Sequence, residues 1–220
     1  MSAAGGAGAP QPDCPLCPRL VAFRQSQRSA HPDWFNAPVP SFGPEDVRLL
    51  IVGLAPGLRG ANRTGRPFTG DFAGLLLYGT LRKFGFAEGD YAERADDGLR
   101  LAGCRITNAV RCVPPENKPE PGEIKACNGF LAAEIRSLPR LEAVLALGAV
   151  AHQAVLAALG ERRKPFPFAH GALHRLACGL LLADSYHCSR YNTNTGKLTT
   201  AMFEAVFDQL SRRLSGSARA

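Results

Sequence analysis

The 220-residue sequence predicts an α/β fold, a parallel sheet covered by helices on both faces. Three observations carry it. Short apolar runs such as Leu49-Leu50-Ile51-Val52 are of the kind that fill buried parallel strands. Helical patterns alternate with those runs along the chain. The runs also open into loops rich in glycine and polar residues, and such sheets place their ligands beyond the carboxyl ends of the strands.

Composition narrows the class. Hydrophobic residues make up 45% and charged residues 20%, the balance of a globular domain. A net charge of +7 favours a polyanionic partner. No apolar run is long enough to span a bilayer, so no membrane association is expected. Residues 1–12 lack the basic and apolar regions of a secretory signal and are expected to be a flexible lead-in. Residues 13–213 are expected to form one domain, and residues 214–220 a flexible basic tail. Seven cysteines without a signal argue against a disulfide framework.

The elements follow in order. After Cys14-Pro15-Leu16-Cys17, the residues Leu20, Val21 and Phe23 predict a short helix. His31 to Pro44, with four prolines and the only tryptophan, predicts a structured loop. Val47 to Leu54 is the first strand. Phe72 to Phe84 is a helix started by Thr69 or Asp71. Cys104 to Val110 is the second strand, and the proline-rich RCVPPENKPEPGE excursion after it cannot be regular. Ile124 to Leu138 is a helix, Leu141 to Leu147 the third strand, and Ala149 to Leu159 a helix ended by Gly160. Leu180 to Ala183 is the fourth strand, running towards His187. Leu198 to Leu214 is an amphipathic helix with Met202, Phe203, Val206, Phe207 and Leu210 on one stripe.

The loop after the first strand is the candidate site. Between Gly53 and Gly74 it carries Arg59, Arg63, Arg66, Phe68 and Asp71 among repeated glycines. Such a loop suits a phosphorylated ligand; the alternative is an ordinary solvated turn. Asn108 to Arg111 and His187 to Thr195 leave the other strand ends, and the three loops are expected to converge on one cleft.

Four cysteines suggest a metal centre. Cys14 and Cys17 form a C-x-x-C pair, and Cys112 and Cys127 flank the proline-rich excursion. Two close thiolates and two distant ones suit zinc or an iron–sulfur cluster, and the residues alone do not choose between them. Cys104, Cys178 and Cys188 read as core or loop thiols.

With GLAPG, NRTGRPFTGD, TNAVRC and HCSRYNT in view, the chain resembles the family 5 (type B) uracil-DNA glycosylases, from Cys14 to about Leu210. The resemblance implies a three-layer α/β/α sandwich around a four-stranded parallel sheet. It implies a 4Fe–4S cluster on Cys14, Cys17, Cys112 and Cys127, with zinc the alternative. It implies hydrolytic release of uracil, and of other deaminated bases such as hypoxanthine, from double-stranded DNA. A monomeric enzyme of the cytoplasm, associated with the nucleoid, is expected. Other branches carry an acid or amide in GLAPG where this chain has Leu54 and Ala55, so the acid must come from elsewhere. Asp71 matches the position proposed for family 5.

The chemistry assigns the remaining roles. A flipped base must be stacked, read and released as an anion from an oxocarbenium-like sugar. Phe68 offers the stacking ring, against the alternative of a core Phe. The Asn108 amide suits uracil O4 and N3–H, with Gly53 and Ala55 beside the base. His187 matches the family's donor to the developing anion on O2. Arg63 and Arg66 are assigned to phosphates. Arg190 and Tyr191 are candidates for the wedge in the duplex. His152 is read as a partly buried helix residue. Two other readings compete: a non-catalytic iron–sulfur nucleic-acid-binding module, and a nucleotide hydrolase that lacks the expected G-x-x-x-x-G-K-[ST] loop.

Overall fold

The computed structural model describes residues 8–216; residues 1–7 and 217–220, within the predicted flexible ends, lie outside them. The chain runs through α1 (Pro18–Ala30), β1 (Leu49–Gly53), α2 (Ala61–Thr64), α3 (Phe72–Lys83), β2 (Ala87–Glu88), β3 (Arg100–Leu101) and β4 (Cys104–Asn108). A 3-10 turn at Pro115–Asn117 follows, then α4 (Pro121–Ser137), β5 (Ala143–Leu147), α5 (Ala149–Ala158), β6 (Leu173–Arg175), β7 (Leu181–Ser185), α6 (Arg190–Asn194) and α7 (Thr200–Gly216).

The main sheet has the order β4-β1-β5-β7-β6. Its first four strands are parallel, with Ile51 opposite Ile106 and Leu145, and Leu145 opposite Ala183. These are the four strands the sequence predicts. The fifth, β6, pairs antiparallel with β7 at the edge. Its three residues, Leu-His-Arg, are half-buried or exposed, so no apolar run announces it. A small β2–β3 ribbon stands apart from the main sheet.

Alternation along the strands builds the three layers. Leu49, Ile51, Leu145 and Ala183 face one core, packed with Leu77 and Leu81 of α3 and Phe203, Phe207 and Leu210 of α7. Leu50, Val52, Val144 and Leu182 face the other, packed with Leu131 and Ile135 of α4 and Ala151 and Val155 of α5. Each fully buried Leu, Ile, Val or Phe side chain among them contributes about 1.5–3 kcal/mol of transfer free energy.

Several boundaries move. Helix α4 begins at Pro121, not Ile124, because Glu120 and Glu123 form a reciprocal capping box with Pro at the first turn. The loop after His187 is partly helical: the Ser189 side chain accepts from Asn192 N–H and starts α6. Helix α7 continues through Gly216, so residue 214 does not open the tail. Leu214 is buried, and its carbonyl accepts a hydrogen bond from Arg48. Among the described residues no helix is long and apolar enough to cross a membrane.

Candidate active site

The site begins with strand register. Gly53 and Asn108 are partners at the carboxyl ends of β1 and β4, and Ala109 N–H closes the ladder onto Gly53 O at 2.9 Å. Asn108 is buried. A methyl group at residue 53 would lie 2.4 Å from Asn108 Oδ1 and 2.7 Å from Phe68 Cζ. Glycine there lets the amide and the ring approach the backbone together.

Phe68 occupies a left-handed backbone conformation, φ +53°, rare for a bulky residue. Buttressing holds it. The Tyr91 hydroxyl donates to Phe68 O at 3.0 Å and accepts from Gly70 N–H at 3.3 Å. Tyr78 donates to Pro67 O at 2.5 Å. The Phe68 ring stacks towards His187, centroids 5.8 Å apart.

Asp71 does two things at once. Its Oδ1 caps α3 by accepting from Gly74 N–H at 3.2 Å. Its Oδ2 packs against glycines: a methyl at residue 60 would sit 2.5 Å from it, and one at residue 57 would sit 3.3 Å away. Burial pushes the Asp71 carboxyl above the usual range, while the Gly74 and Ala73 N–H groups pull the other way. Burial likewise lowers His187 to about 4, so its imidazole is neutral at neutral pH.

These residues share a cleft of about 720 Å³, large enough for a nucleotide. Asp71, Phe68 and Ala55 line it with Asn108, His187 and Arg190. The three predicted loops therefore converge. Arg190 is exposed, its guanidinium 5.3 Å from the Phe72 ring centroid, and Tyr191 beside it is 74% exposed. Arg63 is also exposed.

Arg66 corrects the sequence reading. It is buried and makes two 2.8 Å bonds to Asp97, with a third of 2.7 Å from Nε to Thr69 Oγ1. The Phe42, Tyr78 and Tyr91 rings surround its guanidinium at 5.1–5.8 Å. Arg66 thus braces the Phe68 loop from within, and its donors are not available to a phosphate. The Asp97 partner lies 31 residues away in an irregular segment, which no local pattern reveals.

The four cysteines come together. Cys14, Cys17, Cys112 and Cys127 line one small pocket beside Leu20, Val110 and Phe130. Ala55 packs against the same cluster, so it lies between this pocket and the cleft. Burial and neighbouring thiols raise Cys17, and burial raises Cys112 to about 11. Buried Arg24, which the sequence reading missed, donates to Cys112 Sγ at 3.4 Å and to Cys14 O at 3.1 Å, with Nε unpartnered. Among the described residues the sulfurs are not gathered within 4.8 Å of one another. Their thiols are soft donors of the kind that zinc and iron–sulfur clusters both take.

The group that is gathered so closely is His152, His174 and Asp184. His152 Nδ1 meets Asp184 Oδ1 at 2.7 Å and Nε2 meets the Phe166 carbonyl at 2.9 Å. The Phe166 carbonyl and an ionised Asp184 both accept, which favours the positively charged ring and occupies both of its nitrogens. Burial opposes that charge, but Asp184 and the carbonyl outweigh it and raise His152.

The model of the uracil-DNA glycosylase superfamily matches residues 40–211, a span that takes in the parallel sheet and the loops that line the cleft. The chain is 46% identical over 209 residues to a Thermus thermophilus protein named type-5 uracil-DNA glycosylase, covering 92% of this chain and 94% of that one. Proteins of the same name from Mycobacterium bovis (42% identity, 92% and 78% covered) and Pyrobaculum aerophilum (39%, 88% and 86%) are also similar. The chain belongs to the type-5 uracil-DNA glycosylase family.

Proposed function

We propose that this protein is a DNA repair glycosylase that flips uracil out of double-stranded DNA and hydrolyses its N-glycosidic bond, leaving an abasic site. The convergence of Phe68, Asp71, Asn108 and His187 on one cleft carries the reading. Phe68 stacks on the base. The Asn108 amide pairs with uracil O4 and N3–H, and Gly53 leaves room for both contacts. Neutral His187 donates a hydrogen bond to O2 as negative charge develops there; such a donor is worth about 3 kcal/mol when preorganised. Ionised Asp71 orients the attacking water through Oδ2 and favours the sugar cation. Water is the nucleophile, so no lysine Schiff base is needed.

The finer readings are part of the proposal. The Watson–Crick contact made by Asn108 also suits the O6 and N1–H of hypoxanthine, which supports a wider range of deaminated bases. Arg190 lines the cleft, and Arg63 and Tyr191 are exposed on the loops that contribute to it; the three suit phosphate contacts and a duplex wedge. A monomer acting on nucleoid DNA in the cytoplasm fits this substrate. Cys14, Cys17, Cys112 and Cys127 would hold a 4Fe–4S cluster, which ties the N-terminal segment to α4 and supplies no step of the hydrolysis. The non-catalytic iron–sulfur module is disfavoured, because it would need neither Asp71 nor His187.

Incubation with uracil-containing duplex followed by chemical cleavage at abasic sites tests the reading. Strand breaks at the uracil position are expected. Binding without breaks would leave only a nucleic-acid-binding role.

A further inference from the structure

Edge strand β6 brings a second histidine next to the residue that precedes His187. The strand pairs antiparallel with β7, Leu173 opposite Ala183. The pairing runs on beyond it: Asp184 N–H donates to Ala172 O at 3.0 Å, and Gly171 N–H donates to Asp184 O at 2.8 Å. The same register places His170 beside Tyr186. Resting on the glycosylase reading, we infer that His170 is a positioning residue: its ring nitrogen fixes the Tyr186 peptide, and through it the aim of the His187 imidazole at the flipped base.

The hydrogen bonds around Tyr186 are the first observation. Tyr186 N–H donates to His170 Nδ1 at 3.2 Å. A backbone N–H only donates, so Nδ1 is the bare nitrogen of a ring protonated at Nε2. The His170 ring also stacks on that of Tyr186, with centroids 5.0 Å apart and planes 19° apart. Ser185 Oγ lies 3.4 Å from the same Nδ1 and donates to Tyr186 O at 2.9 Å. The peptide units on both sides of Tyr186 are thus held. The segment that carries His170 is held in turn, because Ala169 N–H donates to the buried Asp184 Oδ2 at 3.4 Å. Burial lowers the His170 pKa against a backbone hydrogen bond at Met202, and a neutral ring keeps Nδ1 an acceptor.

The dependence of His187 on its main chain is the second observation. Burial alone depresses its imidazole, with no hydrogen bond or charge contributing. The ring therefore takes its direction from its backbone and from packing. Asn192 Nδ2 holds the backbone after it, donating to His187 O at 2.8 Å. Gly148 N–H holds the end of β7, donating to Ser185 O at 2.8 Å. His170 holds the peptide before it, and of these three holds it is the one made by a side chain from another strand's approach.

Two substitutions separate aim from mere packing. His170→Phe keeps a ring on Tyr186 and removes the acceptor, whereas His170→Asn keeps an acceptor near Nδ1. Single-turnover excision is measured at saturating enzyme on uracil duplex, and binding on a duplex whose deoxyuridine carries a 2′-fluorine and resists hydrolysis. His170→Phe should bind like the parent and excise about 10–100-fold more slowly, up to the cost of a roughly 1 Å misplacement. His170→Asn should recover most of that loss. In a His187→Ala background His170→Phe should cost nothing further, because its effect passes through His187. Thermal denaturation checks folding; if His170→Phe unfolds, His170→Ala carries the same expectations. A folded His170→Phe or His170→Ala that excises like the parent overturns the inference. So does an equal loss in the His187→Ala background, or a His170→Asn as slow as His170→Phe. A parent that leaves uracil in place overturns the glycosylase reading and this role with it.

Discussion

Gly53 and Asn108 face each other across the β1–β4 ladder so closely that a single methyl at residue 53 would lie 2.4 Å from Asn108 Oδ1. The same methyl would lie 2.7 Å from Phe68. Gly53→Ala must therefore displace the Asn108 amide, the Phe68 ring or both. Excision should fall by about 100-fold, since a roughly 1 Å misplacement costs that much. Thermal denaturation of the variant should show a folded protein. An active Gly53→Ala enzyme would mean that neither side chain touches the base.

Asp71 separates cap from acid. Asparagine can cap a helix as aspartate does, so Asp71→Asn should fold and bind uracil DNA nearly as the parent does. Single-turnover excision should drop on the order of 100-fold. Because burial raises the Asp71 carboxyl, the acid limb of the parent's pH–rate profile should lie above the ordinary aspartate range. That limb should vanish in Asp71→Asn. His187 stays neutral down to about pH 4 and should add no inflection near neutrality.

The two loop arginines should behave oppositely. Arg63 is exposed, so Arg63→Ala should weaken binding alike across sequences and flatten the salt slope by about one unit. Arg66→Ala would leave Asp97 buried without its partner. Breaking such a pair costs about 3–5 kcal/mol. The measured effect should be lost thermal stability, with the salt slope of the folded protein unchanged.

The His152–Asp184 pair links stability to pH. The folded pKa of His152 lies above its unfolded value of 6.5. Its contribution is therefore fully present below pH 6.5 and is lost as pH rises through the folded value. Denaturant unfolding should show this loss on the alkaline side of pH 6.5. His152→Gln should remove that dependence, and a profile unchanged from the parent's would contradict the imidazolium assignment.

The cysteine pocket predicts colour. Anaerobically purified protein should be brown and contain iron. Cys112→Ala should lose colour and solubility before any cleft side chain is disturbed. A colourless protein with one equivalent of zinc would replace the cluster while leaving the staple in place.

The sequence by itself determined the layered fold. Apolar runs at Leu49–Val52 and Ala143–Leu147 fill strands buried on both faces, so local pattern and global placement agree. It also located the candidate site, because Asn108 ends β4, Asp71 and His187 lie on the loops that follow β1 and β7, and parallel topology brings those strand ends to one edge. What tertiary structure decided depends on partners far apart in the chain. Arg66 looked like a phosphate ligand until Asp97, 31 residues on, consumed its charge. Phe68 holds its strained backbone through Tyr91, 23 residues away. Asn117 reaches the cleft from a proline-rich excursion whose course is set by Arg19, nearly a hundred residues earlier, at Lys118 O. Edge strand β6 is short and polar, and forms only because β7 offers it an unpaired edge. Such contacts form only after the chain has folded back on itself, so neither periodicity nor residue type records them.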